Sequence, residues 1–316
     1  MAEARRFARL VIYHPTAAQE YADRLAAKGV SDVVAVARRE DLGPVCADAE
    51  AVACWDFPSE LFPKMPHLRW IQVLAAGVDH LVGTIELSRR VQICRAVGPF
   101  GDQMAEWAFS EMLAQVRGLD RLRRQQAAAT WKRFVPGSLS GSVLGIAGMG
   151  AIGQAVARRA RAFGMTVHGL SRSTTDHGAD RGFGTGQWIE FAQSCDWLLL
   201  LLPLTAETAG VIDQTVLSAM RPTAWLLNAG RGKLVDEAAL VAALDSHQLA
   251  GAILDVFAQE PLPPSSPLWR HPKVVVTPHL AAVSRVEDMA EILYQNLVRD
   301  RDGEPLMNVV DRERGY

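Results

Sequence analysis

Residues 142–163 place the tightest limit on what this chain can fold into. The run Ser142-Val143-Leu144-Gly145-Ile146-Ala147 has the length and apolarity of a buried strand. Gly148-Met149-Gly150-Ala151-Ile152-Gly153 follows it directly, and Gln154 to Phe163 reads as a helix with Val156 and Ala160 on one face. A strand, a G-x-G-x-x-G turn and a helix in that order form a dinucleotide fingerprint. The first glycine makes the tight turn, the second lets the backbone approach a pyrophosphate, and the third lets helix and strand pack closely. The phosphates then sit on the helix N-terminus, where free amides and the helix dipole favour an anion. A plain tight turn would need neither the flanking strand nor the helix.

Three further apolar runs each end on a different polar residue. Ala224-Trp225-Leu226-Leu227 runs into Asn228-Ala229-Gly230-Arg231-Gly232, Ala252-Ile253-Leu254 leads through Asp255-Val256-Phe257 to Glu260, and Val274-Val275-Val276-Thr277 ends in Pro278-His279. Short apolar runs bounded by turn residues read as parallel strands buried on both faces. Ligands bind beyond the carboxyl ends of such strands in an open α/β sheet. An arginine, a glutamate and a histidine delivered there suggest an anion clamp beside an acid–base pair. Glu260 taken alone would read as a surface glutamate. Arg231, between Gly230 and Gly232, reads as having a backbone free to approach a ligand.

The organisation of the chain is α/β throughout. Leu10 to Tyr13, Val33 to Val36, Ala51 to Trp55, Leu68 to Leu74 and Val91 to Arg95 read as strands of a first unit. Thr16 with Gln19 has the spacing of a capping box at the first helix. Gly98 to Asp102 breaks the pattern, and a long helix follows, with Met104, Ala108, Met112, Val116 and Leu119 at helical spacing. Ser284 with Glu287 is a second capping-box pattern, and Met289, Ile292, Leu293 and Leu297 mark one face of a last helix. That helix comes after the strands of the nucleotide unit, so it is expected to return to the first one. The expected domains are residues 1–98 with 284–316 and residues 99–283, joined near 98–101 and 281–284.

Charge narrows the partners. With 33 Lys and Arg against 35 Asp and Glu, the chain has no electrostatic footprint for nucleic acid or an anionic membrane. The longest apolar run, Trp197 to Leu202, suits a buried strand and is far too short to span a bilayer. Cys46, Cys54, Cys94 and Cys195 lack metal-ligand or C-x-x-C spacing and sit in apolar contexts. They read as reduced core residues of a cytoplasmic protein, so no metal is expected.

The motifs Gly148 to Gly153, Leu202-Pro203-Leu204-Thr205, Asn228 to Gly232, Leu254-Asp255-Val256-Phe257 and Thr277-Pro278-His279 together resemble the D-isomer-specific 2-hydroxyacid dehydrogenases. The likeness spans essentially the whole chain, including Ala76-Gly77-Val78-Asp79-His80. Tyr13-His14-Pro15-Thr16, the loop from Glu260 to Trp269 and the terminal Val310 to Tyr316 are similar to the branch of A-type glyoxylate/hydroxypyruvate reductases. The resemblance implies two doubly wound parallel-sheet domains, a Rossmann domain inserted into a flavodoxin-like substrate domain. It implies NADPH-dependent reduction of small 2-oxo acids such as glyoxylate and hydroxypyruvate to D-2-hydroxy acids, in a homodimer that pairs through the nucleotide domain. Phosphoglycerate, D-lactate and formate dehydrogenases remain alternatives within the fold, as does a cofactor-sensing corepressor.

Carried over residue by residue, the family's catalytic arginine falls on Arg231, its glutamate on Glu260 and its histidine on His279. A guanidinium fork suits the planar carboxylate and carbonyl of a 2-oxo acid. Hydride arriving at C2 leaves an alkoxide that needs a proton, and Glu260 would fix the imidazole's tautomer and favour its charged form. His247 and His271 stand among polar or loop residues, His168 and His177 lie in the cofactor half, and His14 and His80 suit structural roles in the first unit. The family binds the substrate carboxylate on backbone N–H groups of the loop that Ala76-Gly77-Val78 matches, although the same residues would also make an ordinary strand-to-helix turn. Trp55 falls where this branch sets an aromatic over the substrate, or it is a core tryptophan. Asp255 matches a residue near the nicotinamide, or it holds a loop. Cofactor contacts are expected from the glycine-rich hexapeptide, Leu202, Pro203, Asn228 and Ala229. The second strand, Thr166 to Gly169, leads to Ser171-Arg172-Ser173, where NAD enzymes carry an acid for the ribose. Hydroxyls and a guanidinium there favour NADP(H) over NAD(H), unless Arg172 merely lies in solvent.

Overall fold

The structure is a computed structural model, and it describes residues 6–83, 87–172 and 178–316. The chain divides into two compact units, Met1–Pro99 with Ser284–Tyr316, and Phe100–Val283.

The first unit holds five strands: β1 (Leu10–Tyr13), β2 (Val33–Val36), β3 (Ala51–Cys54), β4 (Trp70–Val73) and β5 (Gln92–Cys94). All pair in parallel, in the order β2-β1-β3-β4-β5, which is the flavodoxin-like arrangement. β3 and β4 are buried along their whole length, which is why their sequences run apolar without alternation. The exception is Gln72, 1 % exposed on β4. Its amide oxygen accepts from the Asn296 amide at 2.8 Å, and the Asn296 oxygen in turn accepts from the Met307 backbone N–H. Asn296 lies on the last helix, Val286–Asp302, which packs on Ala18–Ala26 through the ion pairs Arg24–Glu287 and Lys28–Glu291. The last helix therefore belongs to the first unit, with Met289, Leu293 and Leu297 buried.

Neither expected capping box forms. The first helix begins at Ala18 with Ala17 as its cap, so Thr16 falls one residue too early to reach the helix amides. His14 Nδ1 accepts the backbone N–H groups of Thr16 and Ala17 instead, and Gln19 donates to Asp23. Burial lowers the His14 pKa, in keeping with a neutral ring that must accept. The last helix begins at Val286 with Arg285 as its cap, and Glu287 is drawn outward to Arg24.

The second unit holds β6 (Val143–Ala147), β7 (Thr166–Leu170), β8 (Arg181–Phe183), β9 (Trp197–Leu200), β10 (Trp225–Asn228), β11 (Gly251–Leu254) and β12 (Val274–Val276). They form one parallel sheet ordered β12-β11-β10-β9-β6-β7-β8. This is the Rossmann order with one strand added beyond the sixth. The order reverses between β6 and β9, so the glycine-rich turn after β6 lies at the switch point. β8 is short, carries Arg181-Gly182 and has no apolar run to announce it in the sequence.

The long helix expected from Met104 to Leu119 is two helices, Phe100–Arg117 and Leu119–Ala127. Gly118 separates them at φ +64°, a left-handed conformation that interrupts the α-helical ladder. Met104, Ala108 and Met112 are buried, whereas Val116 and Leu119 are only partly so. The four cysteines are free and buried, and burial pushes the Cys94 and Cys195 thiols up to about 12. No helix among the described residues is long and apolar enough to cross a membrane.

Candidate active site

The glycine-rich turn assigns each glycine a distinct physical reason. Gly148 has φ +108°, and a Cβ there would stand 2.8 Å from the Leu201 carbonyl oxygen. A Cβ on Gly153 would overlap the Gly148 carbonyl oxygen, so the helix Ala151–Ala162 can lie against β6 only without one. Gly150 differs. Nothing lies within 4 Å of its Cβ position, and it is the N-cap of that helix with no side-chain cap. The helix amides thus begin beside open space, which is the arrangement a pyrophosphate requires. Ser171 and Arg172 follow β7 directly, and the Ser171 N–H donates to the Phe183 carbonyl at 3.1 Å. Ser173 and His177 lie outside the described residues.

At the other side of the same sheet, β10, β11 and β12 are neighbours, and their carboxyl ends are tied together. The Asp255 N–H donates to Asn228 O, Thr277 N–H to Leu254 O, and His279 N–H to Asp255 O, each at 2.9 Å. Asn228 is 1 % exposed, and its amide is consumed by the turn that carries Arg231. Its Nδ2 donates to Arg231 O at 2.9 Å, and its Oδ1 accepts from Gly230 N–H at 3.1 Å. The flanking glycines do not free the backbone for a ligand, as the sequence suggested. A Cβ at Gly230 would stand 2.9 Å from Leu202 O, and one at Gly232 would overlap the Phe257 carbonyl group. Both are needed so that the Arg231 turn can pass the chain's own backbone.

Asp255 is also 1 % exposed, and its carboxylate organises the turn after β12. One oxygen accepts from Thr277 Oγ1 at 2.6 Å and Leu280 N–H at 2.9 Å, and the other from Ala281 N–H at 2.9 Å. Thr277 Oγ1 itself accepts from the Trp107 indole at 3.1 Å. Of the two readings open for Asp255, holding the loop is the one visible in its contacts. The sequence marks Thr277 only as part of the Thr277-Pro278-His279 motif and gives no sign of Trp107; the fold alone brings both to Asp255.

His279 is held by this turn at φ +52°, unusual for a residue with a side chain. Its Nδ1 lies 2.7 Å from Glu260 Oε2, and Glu260 Oε1 accepts from Phe257 N–H at 2.9 Å. An ionised carboxylate only accepts, so Nδ1 carries the proton and Nε2 is the nitrogen left to exchange one. The imidazole is half-exposed, with 49 % of the side chain open. Among the other described histidines, His271 pairs with Asp245, His168 with Ser194 Oγ and His247 Nδ1 with Asp245 O. Among the described residues no His, Cys, Asp and Glu side chains group as a metal site.

In the first unit, Trp55, Ala76 and Gly77 follow the carboxyl ends of β3 and β4. Trp55 is 59 % exposed, which excludes the core reading.

Comparison with known proteins follows the same lines. Residues 109–281 match the family described as D-isomer specific 2-hydroxyacid dehydrogenase, NAD binding domain. Glyoxylate/hydroxypyruvate reductase A of Salmonella paratyphi C is 36 % identical over 275 residues, covering 85 % of this chain and 88 % of that protein. A D-isomer specific 2-hydroxyacid dehydrogenase from Xanthobacter autotrophicus, solved with NADPH and MES, superposes with TM-score 0.88 at 31 % identity, covering 98 % of this chain and all of the other (100 %). The NADPH-dependent glyoxylate/hydroxypyruvate reductase of Sinorhizobium meliloti, solved with NADP and sulfate, gives TM-score 0.88 at 30 % identity, covering 97 % and 99 %.

Proposed function

The chain belongs to the D-isomer specific 2-hydroxyacid dehydrogenases, NAD(P)-dependent oxidoreductases, and on that premise we propose that it reduces glyoxylate and hydroxypyruvate to D-2-hydroxy acids. The observation that carries the chemistry is the 2.7 Å pairing of His279 Nδ1 with Glu260, which leaves Nε2 for proton transfer. Bound NADPH supplies the hydride to C2. His279 Nε2 gives its proton to the C2 oxygen as that oxygen becomes a hydroxyl, and takes it back in the reverse direction. Glu260 fixes the tautomer and offsets the imidazolium charge. Arg231 binds the carboxylate and polarises the carbonyl. Trp55 and the amides of Ala76 and Gly77 serve substrate recognition. Asn228 and Asp255 act by holding the Arg231 and His279 turns, while Ala229, Leu202 and Pro203 line the cofactor side.

The open Cβ direction of Gly150 at a helix N-terminus fits the cofactor's phosphates. The cofactor is NADP(H) in preference to NAD(H), supported by the Xanthobacter relative solved with NADPH and the NADPH-dependent Sinorhizobium relative solved with NADP. Ser171 and Arg172 are proposed to meet the 2′-phosphate, where an acid would repel it. A homodimer belongs to the same proposal. Its support is Trp131 and Val135, each 95 % exposed on the segment after Leu119–Ala127, and light scattering reads the mass directly.

The deciding experiment follows NADPH absorbance on addition of glyoxylate or hydroxypyruvate, repeated with NADH. Turnover with a higher kcat/KM for NADPH is expected. No turnover of any small 2-oxo acid overturns the proposed activity, and equal kcat/KM with NADH overturns the assignment of Arg172.

A further inference from the structure

The terminal motif Val310 to Tyr316 has no part in the chemistry above, yet it is firmly placed in the first unit. β5 is the edge strand of its sheet, and the end of the chain covers that edge. Cys94 bridges antiparallel to Val309, Val310 N–H donates to Ile93 O at 2.7 Å, and Arg95 N–H donates to Asn308 O at 3.1 Å. The Arg312 guanidinium donates to the carbonyls of Ser88 and Leu87, pinning the segment to the approach to β5. The Asp311 carboxylate accepts the N–H groups of Glu313 and Arg314, and Asp311 N–H donates to Tyr316 O, so the tail curls back on itself.

This brace meets Arg95, the first residue beyond the carboxyl end of β5, at its backbone N–H. Its guanidinium is partly buried, and desolvation lowers its pKa, opposed only by the charge of Tyr316. Among the described residues its side chain has no hydrogen bond and no ion pair. Drawing a guanidinium out of water is costly unless a counter-ion and hydrogen-bond acceptors meet it. The next residue, Ala96, donates its N–H to Ala75 O at 3.0 Å, which ties Arg95 to the turn leading into Ala76 and Gly77. Arg95 and that turn therefore stand at adjacent strand ends, on the ligand-binding rim of an open parallel sheet.

We propose that Arg95 is a second guanidinium for the substrate, taking its carboxylate together with the Ala76–Gly77 turn, and that the segment 308–316 is the brace that holds it in place. This rests on the 2-oxo acid reductase reading and adds a specificity-determining residue to it. An incoming carboxylate supplies the hydrogen-bonded counter-ion that the described residues do not, so an anionic substrate is favoured over a neutral one with the same carbonyl.

The test compares glyoxylate with methyl glyoxylate, its uncharged ester, in the full-length wild type, Arg95→Met and Arg95→Lys. In Arg95→Met, kcat/KM for the acid should fall roughly 10- to 150-fold, the usual worth of a hydrogen bond between charged groups. The ester should change by no more than about threefold, and the NADPH Kd should be unaltered. Arg95→Lys should recover part of the acid's advantage, since it keeps the charge and loses the fork. The Tm of Arg95→Met should be equal to or above that of the wild type, because the variant sheds an uncompensated charge. A parallel fall for acid and ester marks a structural role and overturns the inference, as does an acid kcat/KM within about twofold of wild type. Should Arg95→Met not fold, the acid-to-ester ratio of Arg95→Lys decides alone, and an unchanged ratio overturns the inference. A wild type inactive on every 2-oxo acid removes the parent reading as well. An active wild type with an unselective Arg95 removes this inference only.

Discussion

The two halves of the second unit's sheet build their ends by opposite means. After β10, β11 and β12, buried side chains do the fixing: Asn228 folds the Arg231 turn, while Asp255 and Thr277 hold the backbone that presents His279. After β6 the geometry depends on missing side chains, since Gly148 and Gly153 fit only without a Cβ and Gly150 faces open space. Acid–base chemistry needs a particular atom held in a particular direction, which takes a supporting hydrogen-bond network. Phosphate binding needs backbone amides reached at close range, which takes empty volume. One half should therefore fail through loss of turnover and the other through loss of cofactor affinity.

The sharpest way to break that contrast is His279→Ala. We expect kcat to fall by about two to four orders of magnitude, the usual worth of a positioned acid–base group, with the NADPH Kd unchanged. Near-native turnover in this variant would refute the role given to His279. Equal loss of NADPH affinity would show that the two halves do not divide the work.

The next largest effect should come from a pair of glycine substitutions. Gly153→Ala forces a methyl into the Gly148 carbonyl, so it should cost about 1–3 kcal/mol of stability, as overpacked sites do, and weaken NADPH binding too. Gly150→Ala meets no atom, and its φ of −72° suits alanine. It should leave chemical denaturation nearly unchanged while raising the KM for NADPH. If both variants lose stability alike, Gly150 is a packing residue and not the point of approach for phosphate.

Asp255→Asn probes the other half more gently. It keeps the shape but turns one acceptor into a donor facing N–H or O–H groups, a mismatch worth about 1–3 kcal/mol. Reduced kcat with an unaltered Kd for NADPH is expected. A selective loss of cofactor affinity would reassign Asp255 to the nicotinamide.

Much of this molecule is legible in its sequence because parallel strands buried on both faces leave unbroken apolar runs. The runs at 225–228 and 251–254 sit within a residue or two of where Trp225 and Ile253 suggest them, while 274–276, also found, is an edge strand and only partly buried. Arg231 and His279 stand out because each follows closely on such a run, whereas Glu260, six residues past Leu254, is legible only through the resemblance to the family. What the sequence hides depends on partners distant along the chain. Trp107 reaches Thr277 across 170 positions, and Asn296 reaches Gln72 across 224. Capping-box spacing also misled, once through a local competitor and once through a distant one. His14, two and three residues away, accepts the Thr16 and Ala17 amides, and Glu287 is drawn to Arg24 across 263 positions. Gly230 and Gly232 were read as room for a ligand, whereas they give room to Leu202 and Phe257.

The smallest effect, and the finest test of the contrast, concerns a histidine on the nucleotide half. His168 lies on β7 with its Nδ1 2.8 Å from Ser194 Oγ, and its pKa is lowered, first by burial and then by the nearby Arg181 charge. A lowered pKa means that the unfolded chain takes up a proton on this ring before the folded chain does. The ring's contribution to stability is therefore fully present above the unfolded value of about 6.5, and it is lost as pH falls through the folded value. His168→Gln removes that titration while keeping a side chain able to meet Ser194. The drop in Tm between pH 7.5 and pH 5.5 should be smaller in His168→Gln than in wild type, with kcat at pH 7.5 unaffected. A variant with the same acid sensitivity as wild type would place the titrating group elsewhere, with His14 in the first unit next to be tested because burial lowers its pKa as well. A variant with reduced kcat but normal NADPH affinity would be the more damaging result, because it would carry a perturbation from β7 to the His279 turn and dissolve the division between the two halves.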